Sequence, residues 1–409
     1  MFETLSSKER ARRDVAGALR DSQGDAPASR APAIPRSNSA RLGYLDWSRG
    51  LAVLVMLQGH VFHAFSRDPL RVQGPYVLSQ LFGGEGPAIF LFVTGITLAF
   101  LLDGRERKGL GPWDRWKAAI LRSLYLWTLA FLFRAQLWLF AFPGSSWTDL
   151  FKVDILNCMG FAIALLSFTA LLTTPTRVRV CALLGVAIAG ASPFVSSANW
   201  NWLLSGLSAY FVPNYAAFAF FPWAAFIAFG LSAGSVLRLV NSSDMGKVML
   251  WSALGGTMLV VGGEFFSNLP YDVYPRAEYW LNSPGLVAVK LGVILLVVAF
   301  AWLWCEHAGM GTGRRNGSFV RQLGTTSLVV YWVHIEMVYG RWLGIWHRTF
   351  SAGECILATA VLILLMTGLS VLRSDWKTIA GRLRPRKSLP IAEPVLSEPE
   401  LVESGRAAG

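Results

Sequence analysis

The chain has 409 residues, of which 54% are hydrophobic and only 15% charged, and its mean hydropathy is +0.45. A soluble protein of this size carries about 25% charged residues, so a soluble globular fold is excluded. The net charge of +12 and pI near 9.8 would suit nucleic acid, but the basic residues sort by membrane side, which argues against that partner.

Residues 1–40 are rich in Ala, Ser, Arg and Pro and lack an apolar h-region, so they read as a disordered cytoplasmic tail, not a cleavable signal peptide. Apolar runs follow near 47–66, 86–102, 118–141, 151–172, 177–195, 213–237, 247–265, 286–305, 324–343 and 353–373. Each is long enough to cross a ~30 Å hydrocarbon core as a helix. Residues 41–373 are therefore expected to form an all-α domain of about ten transmembrane helices. Residues 374–409 read as a second disordered tail, basic at Arg382-Leu-Arg384-Pro-Arg386-Lys387 and suited to anionic headgroups. With the N-terminus inside, 28 of the 37 Lys and Arg fall on cytoplasmic segments. Six lie outside (Arg67, Arg71, Lys152, Arg276, Arg341, Arg348), and Arg49, Arg134 and Lys290 lie within spans. Shifting the register by one helix destroys this bias. The expected topology thus has both termini inside, in a multi-pass protein of the inner (cytoplasmic) membrane with the lipid bilayer as a partner. Cys158, Cys181, Cys305 and Cys355 stand singly, with no metal-ligand spacing, and read as small buried apolar residues.

The first span carries Asp46-Trp-Ser-Arg49-Gly50, with His60 eleven residues after the arginine and His63 just beyond. Eleven helical steps of about 100° bring Arg49 and His60 onto one face, about 16 Å apart along the axis. The N-in topology puts Arg49 at the cytoplasmic side and His60 towards the outside. A charge at the bilayer centre costs on the order of 2.5–3.5 kcal/mol. Histidine avoids part of this by staying neutral, its reference pKa being about 6.5. A neutral imidazole in a polar cavity is a general base for a hydroxyl or amine; the bland alternative is a helix-end histidine bonded to a neighbouring helix. Asp46 and Arg49, at i and i+3, can pair locally. The arginine is then either a membrane anchor or an anion binder, its planar fork suiting phosphate. His63 is interfacial or part of the same cavity.

Glu85, in Phe82-Gly-Gly-Glu85-Gly-Pro87 before the second span, either orients the imidazole or faces water. The next loop, with Arg105, Arg107, Lys108, Arg115, Lys117 and Arg122, is a positive-inside loop that also suits nucleotide phosphates. Arg134, Asp154, Asn157, Glu264 and His334 are expected to line one outward-opening polar cavity or to lock helices in pairs. Residues 192–212, aromatic and uncharged, suit an interfacial segment or lid. Residues 266–285, dense in Tyr, Trp and Pro, suit an interfacial belt or a platform for a sugar-like acceptor.

Four motifs carry a family resemblance: Arg41-Leu-Gly-Tyr-Leu-Asp46-Trp-Ser-Arg49-Gly50 running to Met56 and His60; Gly86-Pro87-Ala-Ile-Phe90-Leu-Phe92-Val-Thr-Gly95; Phe221-Pro222-Trp223 to Gly230; and Gly324-Thr-Thr-Ser327 through Tyr331 to His334. Together they resemble the transmembrane acyltransferase superfamily, most closely the bacterial relatives of heparan-α-glucosaminide N-acetyltransferase and more distantly the type-3 membrane acyltransferases. The resemblance implies transfer of an acyl group, chiefly acetyl, from cytoplasmic acyl-CoA to a carbohydrate or glycoconjugate acceptor of the cell envelope. Acyl-CoA (acetyl-CoA) is then a co-substrate, with no tightly bound cofactor and no metal. His60 is implied as general base or transient acyl carrier, with Asp46 and Arg49 beside it and Arg49, Arg115 and Arg122 towards the donor. One position departs: relatives often carry an acidic or asparagine residue just before the histidine, where this chain has Gly59, so that role falls to Glu85 or Asp154. The intramembrane His and Arg residues by themselves also fit a transporter or flippase for an envelope precursor, and the glycine fits a catalytically silent scaffold. The acceptor's identity, and whether the chain is a monomer or homodimer, are open in the sequence.

Overall fold

A computed structural model describes residues 42–383, apart from Asn201, Leu204, Tyr271, Asp272, Pro275 and residues 308–317. The tails expected at 1–40 and 384–409 lie outside the described residues. Every regular element among the described residues is a helix. In chain order they are α1 (Gly43–Phe65), α2 (Gly74–Gly83), α3 (Glu85–Glu106), α4 (Pro112–Ala141), α5 (Ile155–Leu166), α6 (Thr174–Ser197) and α7 (Ser205–Phe211). They continue with α8 (Phe220–Leu239), α9 (Met245–Ser267), α10 (Tyr279–Asn282), α11 (Pro284–His307), α12 (Phe319–Thr325), α13 (Ser327–Tyr339) and α14 (Ala352–Leu383). Prolines sit in the first turn of α2, α4 and α6, where the missing N–H has no helical partner to lose. Asp154 caps α5, accepting from the Leu156 and Asn157 amides while Asn157 Oδ1 accepts from its own N–H.

Seven of these helical stretches are long and apolar enough to cross a membrane: Gly74–Glu106, Pro112–Ala141, Thr174–Ser197, Phe220–Leu239, Ser242–Ser267, Pro284–His307 and Ala352–Trp376. The protein is a multi-pass membrane protein. The other three expected spans are helical but differ in kind. The fourth is the shorter Ile155–Leu171, and the ninth breaks at Thr326 into α12 and α13. The first, α1, is long enough but carries Asp46, Arg49, Gln58, His60 and His63. Its polarity is sustained by burial: α1 packs against α2, α3, α11, α12, α13 and α14 and so meets protein more than lipid. At the other end of the chain, α14 runs on to Leu383, so residues 374–383, expected as tail, are helical. All four cysteines are buried and unbridged.

The core forms along α1. Val53, Leu57 and Val61 recur every four residues and pack against Leu323 of α12, Val330 and Val338 of α13, and Leu362 and Met366 of α14. Two crossings bring backbones into direct contact. A Cβ on Gly50 would lie 1.7 Å from the Val320 carbonyl oxygen, and one on Gly324 would lie 1.8 Å from that of Asp46. A Cβ on Gly95 would meet the Ile227 carbonyl at 2.3 Å, and one on Gly230 the Phe92 carbonyl at 2.0 Å. α1 thus seats on α12, and α3 on α8, where no residue with a side chain fits.

At the far end of α3, Asp103 and Glu106 bind four arginines: Arg107, which caps α3, and one each from α4, α6 and α8. Asp103 holds Arg107 at 2.8 Å and Arg238 at 2.5 Å, while Glu106 holds Arg115 at 2.8 Å and Arg177 at 3.4 Å. Thr174 donates to both acids. The cluster ties α3, α4, α6 and α8 together at one end of the bundle.

Gly324→Ala is expected to destabilise the fold by about 3 kcal/mol, the upper range for overpacking, because a carbonyl oxygen fills the space. The melting midpoint of the purified protein in detergent reads this; an unchanged midpoint contradicts the close approach.

Candidate active site

At the opposite end of α3, about 24 Å from that ion cluster by helical rise between Pro87 and Asp103, a cavity of about 430 Å³ opens beside the last turns of α1. His60 and His63 line it from α1, Gln80 from α2, Trp223 from α8, Lys290 from α11 and Tyr339 from the end of α13. Trp280 comes from the short α10, and Tyr215 and Ser283 from the connections on this side. The mixture of aromatic faces with a few polar groups is that of a small-molecule site.

The hydrogen bonds of His60 determine its tautomer. His334 Nδ1 lies 2.8 Å from the Val330 carbonyl, one helical turn back, and must donate to it. The Nε2 of a neutral His334 is therefore an acceptor, and it sits 3.0 Å from His60 Nδ1. His60 then carries its proton on Nδ1, which leaves Nε2 with a free lone pair. The two rings lie nearly parallel, 8° apart with centroids separated by 5.2 Å. Tyr339 packs edge-on against His60 at 5.4 Å, and its hydroxyl meets His63 Nδ1 at 3.0 Å. Tyr331 packs edge-on against His334 at 5.7 Å. The imidazole is held on one side by a neighbour and open to the cavity on another.

Gly59 has a packing reason. A Cβ there would lie 2.8 Å from Gly83 Cα, since α1 and α2 touch backbone to backbone at this point, and Gln80 donates to the Gly59 carbonyl at 3.1 Å. An acid or amide before His60 has no room. The role expected of Glu85 or Asp154 in its place is taken by neither. Glu85 pairs with Lys290 at 3.0 Å, and Lys290 also donates to the Gly84 carbonyl at 2.8 Å. Lys290 claims that carboxylate. Asp154 pairs with Arg134 at 3.2 Å while capping α5.

The other sequence-predicted residues divide between this cavity and separate locks. Arg134 and Asp154 join α4 to α5, and Asn157 donates to the Tyr210 hydroxyl at 3.3 Å; none of the three lines the cavity. Glu264 is exposed and accepts from the Tyr279 hydroxyl at 2.7 Å. Burial first, and then that hydrogen bond, push the Tyr279 hydroxyl up to about 12, so it stays a donor at neutral pH. Of Arg134, Asp154, Asn157, Glu264 and His334, expected to share one cavity or to lock helices in pairs, none lines this cavity, and His334 is tied to it only through its contact with His60. Asp46 and Arg49 pair at 3.3 Å at the other end of α1. Arg115 is only 5% exposed and is committed to Glu106, which corrects its expected place towards the donor. Arg122 is exposed on α4, stacked over Tyr125 at 5.5 Å.

Of the two aromatic segments, 266–285 supplies Trp280, Leu281 and Ser283 to the cavity wall, and Glu278 beside them accepts from the Tyr215 hydroxyl at 3.0 Å. Among the described residues of 192–212 none lines the cavity; Trp200 packs on Phe211, and Tyr210 and Phe211 pack on Phe161. Sequence reasoning missed Gln80 and Tyr339, which carry no signal of their own. Lys290 had one, as a cation inside a span.

Gly59→Asn, which installs a residue type common at this position in relatives, is expected to lose about 1–3 kcal/mol through overpacking against Gly83. A melting midpoint equal to or above the parent's contradicts the packing account.

A family model described as heparan-alpha-glucosaminide N-acetyltransferase, catalytic, matches residues 41–263. The match runs from the start of α1 into α9, takes in His60, Gly59 and Glu85, and ends before Lys290 and His334. No curated protein matches the chain.

Proposed function

Because the chain belongs to the heparan-α-glucosaminide N-acetyltransferase catalytic family, whose model matches more than half of it, we propose that it moves an acetyl group from cytoplasmic acetyl-CoA to a hydroxyl or amine of a carbohydrate or glycoconjugate acceptor at the outer membrane face. The observation that carries this reading is the free Nε2 of His60 at the cavity wall, with Nδ1 anchored on His334.

In the proposed step, His60 Nε2 takes the proton of the acceptor hydroxyl or amine as its oxygen or nitrogen attacks the thioester carbonyl carbon. A C–O or C–N bond forms, the C–S bond breaks, and the CoA sulfur leaves with the proton returned by His60. Atoms and charge balance with no other reactant. His334 is a positioning residue: its Nε2 accepts the His60 Nδ1 proton before and after Nε2 is protonated, so the ring keeps its orientation through the cycle. Trp223 and Trp280 offer flat faces to a sugar ring, and Gln80, Ser283 and Tyr215 offer hydrogen-bonding groups to its hydroxyls.

The sidedness we propose has ten crossings and both termini inside. The end of the bundle with Arg105, Arg107, Lys108 and Arg115 is then cytoplasmic by the positive-inside rule, and the His60 cavity is outward. Residues 1–40 and the stretch after α14 are cytoplasmic tails of one catalytic domain in the inner membrane. Arg49 lies at the inner end of α1, where the Arg321 guanidinium approaches Gly43, and these cations suit the phosphates of the donor. Arg122 is exposed at the same end and suits the same role; Arg115 does not. Nothing in the family match or the cavity favours a transporter or flippase.

The test uses the purified full-length chain, [14C]acetyl-CoA and an amino-sugar acceptor. His60→Ala is expected to lower transfer on the order of 100-fold or more, the range for losing a general base. Transfer equal to the parent's sinks the assignment. His334→Phe, which removes the acceptor for His60 Nδ1, is expected to lower kcat by about 10–100-fold with KM little changed and a displaced pH profile. His334→Gln, whose carbonyl can accept the same proton, is expected to recover part of that loss. If both His334 variants keep the parent's kcat and pH profile, the positioning role is wrong.

A further inference from the structure

A second cavity, of about 420 Å³, lies between α6, α8, α9 and α11. Among the described residues its wall is apolar except for the Tyr274 hydroxyl. On its rim Val186 is 63% and Met258 75% exposed, so it opens on the flank that faces hydrocarbon. A Cβ on Gly262 would meet nothing within 4 Å, which leaves the floor of the groove open. At one end Tyr274 packs edge-on against Phe194 at 5.2 Å and Phe266 at 6.5 Å and closes it.

This groove adjoins the His60 cavity. On α11, Leu286 and Lys290 line the His60 side and Gly285, Ala288 and Leu291 the apolar side, while Val287 lines both. On α8, Trp223 and Phe226 face the first cavity and Phe229 the second. The two spaces therefore lie on either side of the seam between α8 and α11, at the level of the first turns of α11. Helices α8 and α11 touch at few points along that seam. An apolar groove open to lipid, side by side with a polar cavity that holds the base, matches an amphipathic ligand with a polar head and a hydrocarbon chain. We propose that the groove holds the hydrocarbon chain of a membrane-anchored acceptor, a glycolipid whose sugar head reaches His60 across the start of α11. This rests on the acyl-transfer reading above and names its substrate class. The chain belongs to the acceptor and not the donor, because the groove lies at the His60 end of α11 while the proposed donor cations lie at the other end of the bundle.

The test compares dodecyl β-D-glucosaminide with methyl β-D-glucosaminide as acceptors for the full-length protein in lipid nanodiscs, with [14C]acetyl-CoA. The parent is expected to acetylate the dodecyl compound roughly tenfold or more faster, as apolar burial of the chain implies. Gly262→Leu and Ala288→Phe, which fill the groove from positions that do not line the His60 cavity, are expected to abolish that advantage while keeping the methyl compound's rate. An advantage that survives in both variants reflects partition into the bilayer alone and overturns the groove. Equal rates for the two acceptors in the parent overturn it too, in favour of a water-soluble acceptor. A dodecyl glucosaminide bearing a diazirine on its chain gives a readout independent of turnover. Label is expected on Met258 and on the start of α11, lost in Gly262→Leu. Such label without any acetyl transfer keeps the chain site and rejects the acyl-transfer reading; label spread evenly over the exposed flanks rejects the groove.

Discussion

The close approach of α1 and α12 at Gly50 and Gly324 is the constraint on which the rest depends. Backbone carbonyls occupy the space where two side chains would stand, so the helices meet at a distance that only glycine allows. That contact fixes α12, and α13 continues from it after the break at Thr326. With α13 in place, His334 comes within 3.0 Å of His60. The hydrogen bond that sets the tautomer of the base is therefore a consequence of a packing contact nearly three turns of helix further down the bundle, by about 3.6 residues per turn.

A polar helix in a membrane protein needs a protein environment, and α1 has one. Six helices surround it, and its apolar positions at 53, 57 and 61 join the core. Its remaining positions are then free to carry Asp46, Arg49, His60 and His63. The helices around it supply the hydrophobic surface that faces lipid, with Leu183, Met258 and Leu364 all at least 70% exposed. Division of labour between a shielded polar helix and an apolar ring explains why α1, though long enough, is not among the seven described stretches apolar enough to cross a membrane. The intramembrane charges follow the same economy: Glu85 with Lys290, Arg134 with Asp154, and the arginines around Asp103 and Glu106 are all paired. His60 differs in being a neutral group that faces a cavity.

The sequence by itself determined the fold class, the family and the helix on which Arg49 and His60 stand. Long apolar runs admit only helices in a bilayer, because every backbone group must be satisfied within its own segment. The 3.6-residue period then places Arg49 and His60 on one face without reference to any neighbour. Those are local properties, legible from spacing. The partner of His60 was not legible. Glu85 and Asp154 were the candidates, and His334, 274 residues along the chain, was expected only as a cavity or helix-locking residue. Gly59 looked like a missing functional group, and is instead the point where α1 rests on Gly83 of α2. Arg115 stood in a basic loop suited to nucleotide phosphates, and is buried against Glu106. Tertiary packing decided each of these, because whether a charge is paired or open, and whether a glycine is a vacancy or a contact, depends on which helix lies opposite, and a helix's own sequence does not carry that information.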